Sequence, residues 1–179
     1  MGAVLAAVIG GMALGSFWLG RMADRVARPA RLYGVLELGV AICALLSPML
    51  LDASAGGFVA LHRSLGGSPI LGSVARFVFA VVLLALPAVL MGGSLPAAAA
   101  AFPSTSETRG RAIGLLYGLN TLGAVAGTLL AGFVLLPRLG LANTMRAAAV
   151  LSGLAGIGAM LLPASKGAEA ESVEVGGDA

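Results

Sequence analysis

Residues 21–31 read RMADRVARPAR, and they place four arginines and one aspartate between two long apolar stretches. A chain that is apolar on both sides of such a cluster must leave its apolar surroundings there and enter water. This stretch, which we call the arginine loop, therefore predicts the junction of two membrane-spanning helices.

The composition predicts a membrane protein. The chain is 59% hydrophobic and only 11% charged, whereas an ordinary soluble protein carries about 25% charged residues. Its formal net charge of +3 does not indicate nucleic-acid binding, because the arginines flank apolar runs instead of lining one face. The single cysteine, Cys43, excludes a disulfide framework within the chain and is expected to be a buried structural thiol.

The apolar runs predict the number of membrane crossings. A helix needs about 20 apolar residues to cross about 30 Å of hydrocarbon, and backbone groups in lipid must be paired within the segment. The fold class is therefore an all-α integral membrane protein with about five transmembrane helices in residues 1–163. The predicted helices are residues 2–20, 32–51, 73–102, 112–136 and 144–162. Residues 164–179 are acidic and predict a disordered tail.

The stretch between the second and third predicted helices, residues 52–72, is rich in glycine and serine. Phe58, Leu61 and Leu65 share one helical face there, which predicts a short helix on the membrane surface. His62 lies in the same stretch, without a second His, Cys or Asp at ligand spacing. We therefore expect no metal site and no cofactor.

The distribution of basic residues predicts the orientation. The larger set is Arg21, Arg25, Arg28, Arg31, Arg109, Arg111 and Lys166. The smaller set is Arg63, Arg76, Arg138 and Arg146. The richer side is expected to be cytoplasmic, so the amino terminus lies outside and the carboxyl tail in the cytoplasm. Because the chain begins in an apolar run without basic residues ahead of it, we expect a further helix before Met1.

Polar groups inside membrane helices are the first candidates for function, because placing a polar side chain in lipid costs free energy. Glu37 is expected to bind a cation or carry a proton, or else to pair with Arg31 or another loop arginine near the interface. Asn120, with its neighbour Thr121, lies well inside the fourth predicted helix. It is expected to line a pathway or to form an interhelical hydrogen bond worth about 1 kcal/mol.

Small residues predict close helix packing, with substrate binding as the alternative. Pairs spaced four apart are Gly11 and Gly15, Gly114 and Gly118, and Gly123 and Gly127. Gly92, Gly93 and Pro96, in the run LMGGSLP at 90–96, predict either a hinge or unwound site facing a cavity, or a kink that improves packing.

Residues 20–28, GRMADRVAR, resemble the loop signature of the major facilitator superfamily. The resemblance implies that Gly20, Asp24, Arg25 and Arg28 belong to a cytoplasmic charge network that latches helix ends in one access state. Two positions depart from the signature: Ala27 replaces a glycine and Pro29 replaces the final basic residue. These departures favour a topological anchor over a working latch.

A wider pattern over about residues 4–162 resembles the membrane portion of bacterial fused transporter-like and spermidine-synthase-like proteins. It comprises GMALGS at 11–16, GRMADR at 20–25, LMGGSLP at 90–96, GLLYGLNTLGA at 114–124 and LPRLG at 136–140. The resemblance implies a partial major-facilitator-like bundle in the bacterial inner membrane. In that family a further helix precedes the first one predicted here, and members continue into a soluble aminopropyltransferase-like domain, which we expect this chain to lack.

Catalysis is not expected of this chain. Aminopropyl transfer requires a glycine-rich loop after a strand and carboxylates that hold a cationic amine. No predicted strand precedes a glycine-rich stretch, and the carboxylates outside the tail are scattered.

Two functions remain. The first is a non-catalytic membrane module, truncated or split, that anchors or partners a polyamine-type enzyme domain. The alternative is a small transporter or half-transporter for a small cationic solute, with Glu37, Asn120 and the Gly92–Gly93 break as its site. The arginine-loop motif does not recur, so the internal repeat typical of alternating access is not seen, which favours the module. The expected partners are the lipid bilayer and either a second copy or a separate soluble enzyme domain, not nucleic acid.

Overall fold

The structure is a computed structural model, and it describes residues 2–64, 69–102 and 106–162. The predicted acidic tail, residues 164–179, lies outside the described residues. The described chain is helical throughout, apart from short connections. Its elements are α1 (Gly2–Ala23), α2 (Pro29–Ser64), α3 (Pro69–Ala100), α4 (Ser106–Leu130), a π-helical turn (Ala131–Leu135) and α5 (Leu136–Leu161). The all-helical class is confirmed.

Among the described residues, four helical stretches are long and apolar enough to cross a membrane, where the sequence predicts about five. They are Val4–Ala23, Pro29–Phe58, Ile70–Ala100 and Gly110–Leu161. The predicted helix 112–136 and all but the last residue of the predicted helix 144–162 fall in the last stretch, which has 52 residues. The π-helical turn carries helical backbone from Leu130 to Leu136, so no loop separates α4 from α5. The interruption is a single residue, Gly140, with φ 72° and ψ 174°.

The second and third helices are longer than predicted. α2 has 36 residues, about 54 Å at 1.5 Å per residue, and therefore exceeds the hydrocarbon thickness. The predicted surface helix at 58–65 is wrong for the residues described, because residues 58–64 continue α2. Phe58 and Phe79 meet edge to face with ring centroids 5.4 Å apart, and this contact holds the far end of α2 against α3.

The helices pack in a row: α1 lies on α3, α3 on α2, and α2 on α5. One buried apolar cluster joins Ala23, Leu36 and Ala97. Most large apolar side chains are exposed instead, Trp18 and Phe133 among them. This distribution suits a bundle in lipid, where small residues let helices approach and large apolar ones face the acyl chains.

The glycine pair on α1 serves helix packing. A Cβ on Gly15 would overlap the carbonyl oxygen of Val89 on α3, and a Cβ on Gly92 would overlap the carbonyl oxygen of Met12 on α1. Gly93 faces the side chain of Leu19 in the same interface. Residues 90–96 are helical and include Pro96 within α3, so the segment is not unwound. Its role as a hinge stays a prediction.

Candidate functional site

A partly open pocket of about 340 Å³ lies at the arginine-loop end of the bundle. α2, α3, α4, α5 and the residues that follow α3 and α5 supply its lining. The lining residues are Ala30, Tyr33, Glu37, Ser94, Leu95, Ala98, Ala101, Phe102, Leu116, Asn120, Ala159 and Leu162. Two of the polar residues proposed from the sequence, Glu37 and Asn120, therefore meet at one site although they belong to different helices.

Glu37 is held by a partner that sequence reasoning missed. The hydroxyl of Ser152, on α5, donates a hydrogen bond of 2.6 Å to Oε2 of Glu37. A hydrogen bond to a charged group contributes about 1.5–3 kcal/mol. Ser152 is visible in the sequence as a small polar residue in an apolar helix. The sequence does not indicate which helix it faces.

Two glycines bring Ser152 within reach of Glu37. A Cβ on Gly34 would lie 2.6 Å from the carbonyl oxygen of Gly156, and a Cβ on Gly156 would lie 2.8 Å from the carbonyl oxygen of Gly34. The backbones of α2 and α5 thus touch at this level. Because residues three or four apart share a helix face, Glu37 and Ser152 each lie one turn from the contact and meet across it.

The alternative partner of Glu37, Arg31, does not pair with it. Arg31 is exposed, and within residues 2–64, 69–102 and 106–162 no ion pair involves Glu37. Six residues of α-helix rotate the side chain by about 240°. The two side chains consequently leave α2 on different faces, which explains why the ion pair is not formed.

Asn120 and Thr121 have different surroundings. The amide of Asn120 lines the pocket, and it makes no hydrogen bond with another residue of the described chain. The hydroxyl of Thr121 instead donates to the carbonyl oxygen of Tyr117 at 2.9 Å, and Thr121 is not part of the lining. The amide of Asn120 is thus available to a ligand, whereas the hydroxyl of Thr121 is hydrogen-bonded within its own helix.

The break at Gly140 is what returns α4 to the pocket. Asn120 and Ala159 are about 40 residues apart and would be separated by about 60 Å in a straight helix. Both nevertheless line the same pocket, so the chain folds back between them.

Side chains pair the carbonyl groups at the break. The side chain of Asn143 donates to the carbonyl oxygen of Leu139 at 3.1 Å. The hydroxyl of Thr144 donates to the carbonyl oxygen of Gly140 at 2.8 Å. Such pairing is what a membrane requires of an interrupted helix.

The chemistry of the pocket suits a small cation with hydrogen-bond donors. Glu37 supplies one carboxylate, and Tyr33, Ser94 and Asn120 supply neutral polar groups among otherwise apolar walls. A mostly apolar cavity with a few convergent polar groups is the usual form of a small-molecule site. In the described part of the chain no three His, Cys, Asp or Glu residues converge to hold a metal ion.

The residues of the loop signature lie around the end of α1. Gly20 packs against Pro96 of α3, where a Cβ would lie 3.4 Å from the proline side chain. Asp24, Arg25 and Arg28 are exposed, and no ion pair joins them to one another in the structure as described. Their role in a latch stays a prediction.

The pocket and the arginine loop are therefore the two features of the bundle with evident chemistry. The resemblance to the fused transporter-like and spermidine-synthase-like family rests on the sequence motifs alone. No family model matches this chain, and neither does any curated protein or solved structure.

Proposed function

We propose that this chain is a polytopic membrane protein that binds a small cationic solute, an amine, in the pocket beside Glu37. The observation that supports the proposal is the pocket itself, in which Glu37 accepts a hydrogen bond from Ser152 and meets no described cation. A charged group at membrane depth is costly unless it is paired or hydrogen-bonded. A bound ammonium group would supply the missing counter-charge. The sequence resemblance extends the proposed class to polyamines.

The proposed topology has five crossings, with α4 and α5 crossing separately, in a partial major-facilitator-like bundle. The fold-back at Gly140 supports this arrangement, because a 52-residue helix would measure about 78 Å if straight. The arginine loop then lies in the cytoplasm of a bacterial cell and the amino terminus outside. In this topology the pocket lies at the cytoplasmic end of the bundle, since Ala30, Phe102 and Leu162 line it near helix ends.

A reporter fusion tests this orientation. Alkaline phosphatase fused after Arg28 is expected to be inactive, because a cytoplasmic enzyme does not form its disulfides. The same reporter fused after Ser64, at the opposite end of α2, is expected to be active. Both activities are normalised to expression. An active fusion after Arg28 together with an inactive fusion after Ser64 would show that the topology is the reverse of the one proposed.

The variant Glu37→Gln tests the binding site. Glutamine keeps the size of the side chain and still accepts the hydrogen bond from Ser152, but it removes the charge. We expect the affinity for spermidine to fall about 10- to 100-fold, which corresponds to the loss of one charge-assisted contact. Calorimetry on the purified protein and uptake into proteoliposomes measure binding and flux separately.

The matched control is Asp52→Asn, which removes a carboxylate of the same chain outside the pocket and is expected to leave the affinity within about twofold. Equal binding by the wild type and Glu37→Gln would contradict the proposed site. Binding without flux would leave a solute-binding module in place of a transporter.

The second candidate is the non-catalytic module that anchors or partners a polyamine-type enzyme domain. The glycines of α4 favour it: no atom of a neighbouring helix lies within 4 Å of a Cβ built on Gly114, Gly118, Gly123 or Gly127. The glycines with the same spacing on α1 pack against α3 instead. If the wild-type chain neither binds nor moves spermidine, the proposal of an amine-binding pocket fails and the non-catalytic module is favoured.

A further inference from the structure

The arginine loop holds a concentration of unpaired positive charge. Arg21, Arg25, Arg28 and Arg31 are all exposed, and Asp24 is the only acidic residue among them. None of the four guanidinium groups makes an ion pair with another described residue. The positive-inside rule accounts for the side of the membrane on which such residues lie, but it does not account for a fixed arrangement of them.

The loop is an ordered turn, not a loose connection. The backbone N–H of Asp24 donates to the carbonyl oxygen of Gly20 at 3.2 Å, and that of Arg25 donates to the carbonyl oxygen of Met22 at 3.1 Å. Ala23 is 1% exposed and packs against Leu36 and Ala97 in the core. The arginines therefore project from a rigid base, which lowers the entropy lost when they bind a ligand.

The aromatic side chains next to this turn favour a position at the level of the lipid headgroups. The guanidinium carbon of Arg21 lies 3.7 Å from the centroid of the Phe17 ring, which fixes its direction along α1. Phe17 is 53% exposed and Trp18 is 72% exposed. Tryptophan is enriched where hydrocarbon meets headgroups, and arginine extends its charged end from that level towards the interface.

We propose that the arginine loop binds the phosphate of an anionic phospholipid. Guanidinium groups match phosphate oxygens with paired hydrogen bonds, and clusters of basic residues next to a membrane helix bind anionic headgroups. In this proposal Arg25 and Arg28 donate hydrogen bonds to the phosphate, and Arg21 lies next to it. The bound headgroup lies beside the mouth of the pocket, because Ala30, which lines the pocket, lies between Arg28 and Arg31. This site is independent of amine binding.

The test compares lipid association in the full-length chain reconstituted in nanodiscs. Spin-labelled phosphatidylglycerol and phosphatidylcholine report the fraction of each lipid held at the protein surface. We expect the wild type to prefer phosphatidylglycerol. The variant Arg25→Gln/Arg28→Gln, which leaves the contact of Arg21 with Phe17 intact, should lose that preference by about 25-fold, or about fivefold for each arginine.

The matched control is Arg138→Gln/Arg146→Gln, which removes two exposed arginines from the opposite end of the bundle and should keep the preference within about twofold. The variant Arg25→Lys/Arg28→Lys keeps the charge. It should retain only part of the wild-type preference for phosphatidylglycerol, since lysine cannot form paired hydrogen bonds to phosphate. Soluble glycerol phosphate at millimolar concentration should not displace the lipid.

An unchanged preference in Arg25→Gln/Arg28→Gln would overturn the site. An equal loss of the preference in the control would also overturn it, and so would a full preference in the lysine variant. Both outcomes would mean that the lipid is attracted by positive charge in general and not by a defined site. If the glutamine variant does not fold, the lysine variant and the control still decide between a site and a diffuse field.

Discussion

Gly15→Leu is expected to detach α1 from α3 and to destabilise the bundle strongly. A Cβ at Gly15 would overlap the carbonyl oxygen of Val89, and backbone cannot move aside as a flexible side chain does. Forcing extra atoms into a packed interface costs about 1–3 kcal/mol, and the backbone contact places this site at the upper end. Gly92→Leu should behave alike, because Gly92 meets the carbonyl oxygen of Met12 from the other side.

The measurement is unfolding in mixed detergent and SDS, followed by circular dichroism. The control is Gly118→Leu, since a Cβ at Gly118 meets nothing within 4 Å and exposed substitutions change stability by about 0.5 kcal/mol or less. If Gly118→Leu destabilises the protein as much as Gly15→Leu does, the close approach of α1 and α3 is not what makes Gly15 sensitive.

Gly140→Val is expected to move α4 away from the pocket. The backbone of Gly140 has φ 72° and ψ 174°, a region that is essentially restricted to glycine and that costs other residues about 1–3 kcal/mol. A β-branched side chain is worst placed there. Relaxation of the strain towards helical backbone would straighten the stretch, withdraw Asn120 and weaken spermidine binding.

Spin labels at Tyr117→Cys and Leu161→Cys, in a Cys43→Ala background, measure this movement. Both label sites are exposed. A folded-back chain gives a short distance, whereas a straight helix gives about 66 Å. Gly132→Val is the matched control, because Gly132 lies in the same stretch with open space around it and has no positive φ. An unchanged distance in Gly140→Val would show that another residue holds the fold-back.

The candidate site was partly predictable from the sequence. Glu37 and Asn120 stand out because each is polar in an apolar run, and the structure brings both to one pocket. Ser152 does not stand out, since its importance depends on the contact between Gly34 and Gly156. Helical periodicity specifies the face of a residue on its own helix, but it does not specify which helix covers that face.

The glycine pairs show the same limit. Gly11 and Gly15 on α1 have the same spacing as Gly114 and Gly118 on α4. The first pair is buried, with Gly15 against α3 backbone, while the second pair faces open space. Spacing alone therefore predicts that two backbones are able to approach, without predicting that they do.

Composition and apolar run length by themselves determined that this chain is helical and suited to a membrane, because hydrocarbon leaves backbone groups no partners outside the helix. The tertiary structure alone decided that α4 and α5 form one stretch broken at Gly140, that Ser152 holds Glu37, and that Asn120 lines the same pocket as Glu37. These features depend on contacts between residues far apart in the chain. Such contacts are set by the fit of small residues between helices, which hydrophobicity does not encode.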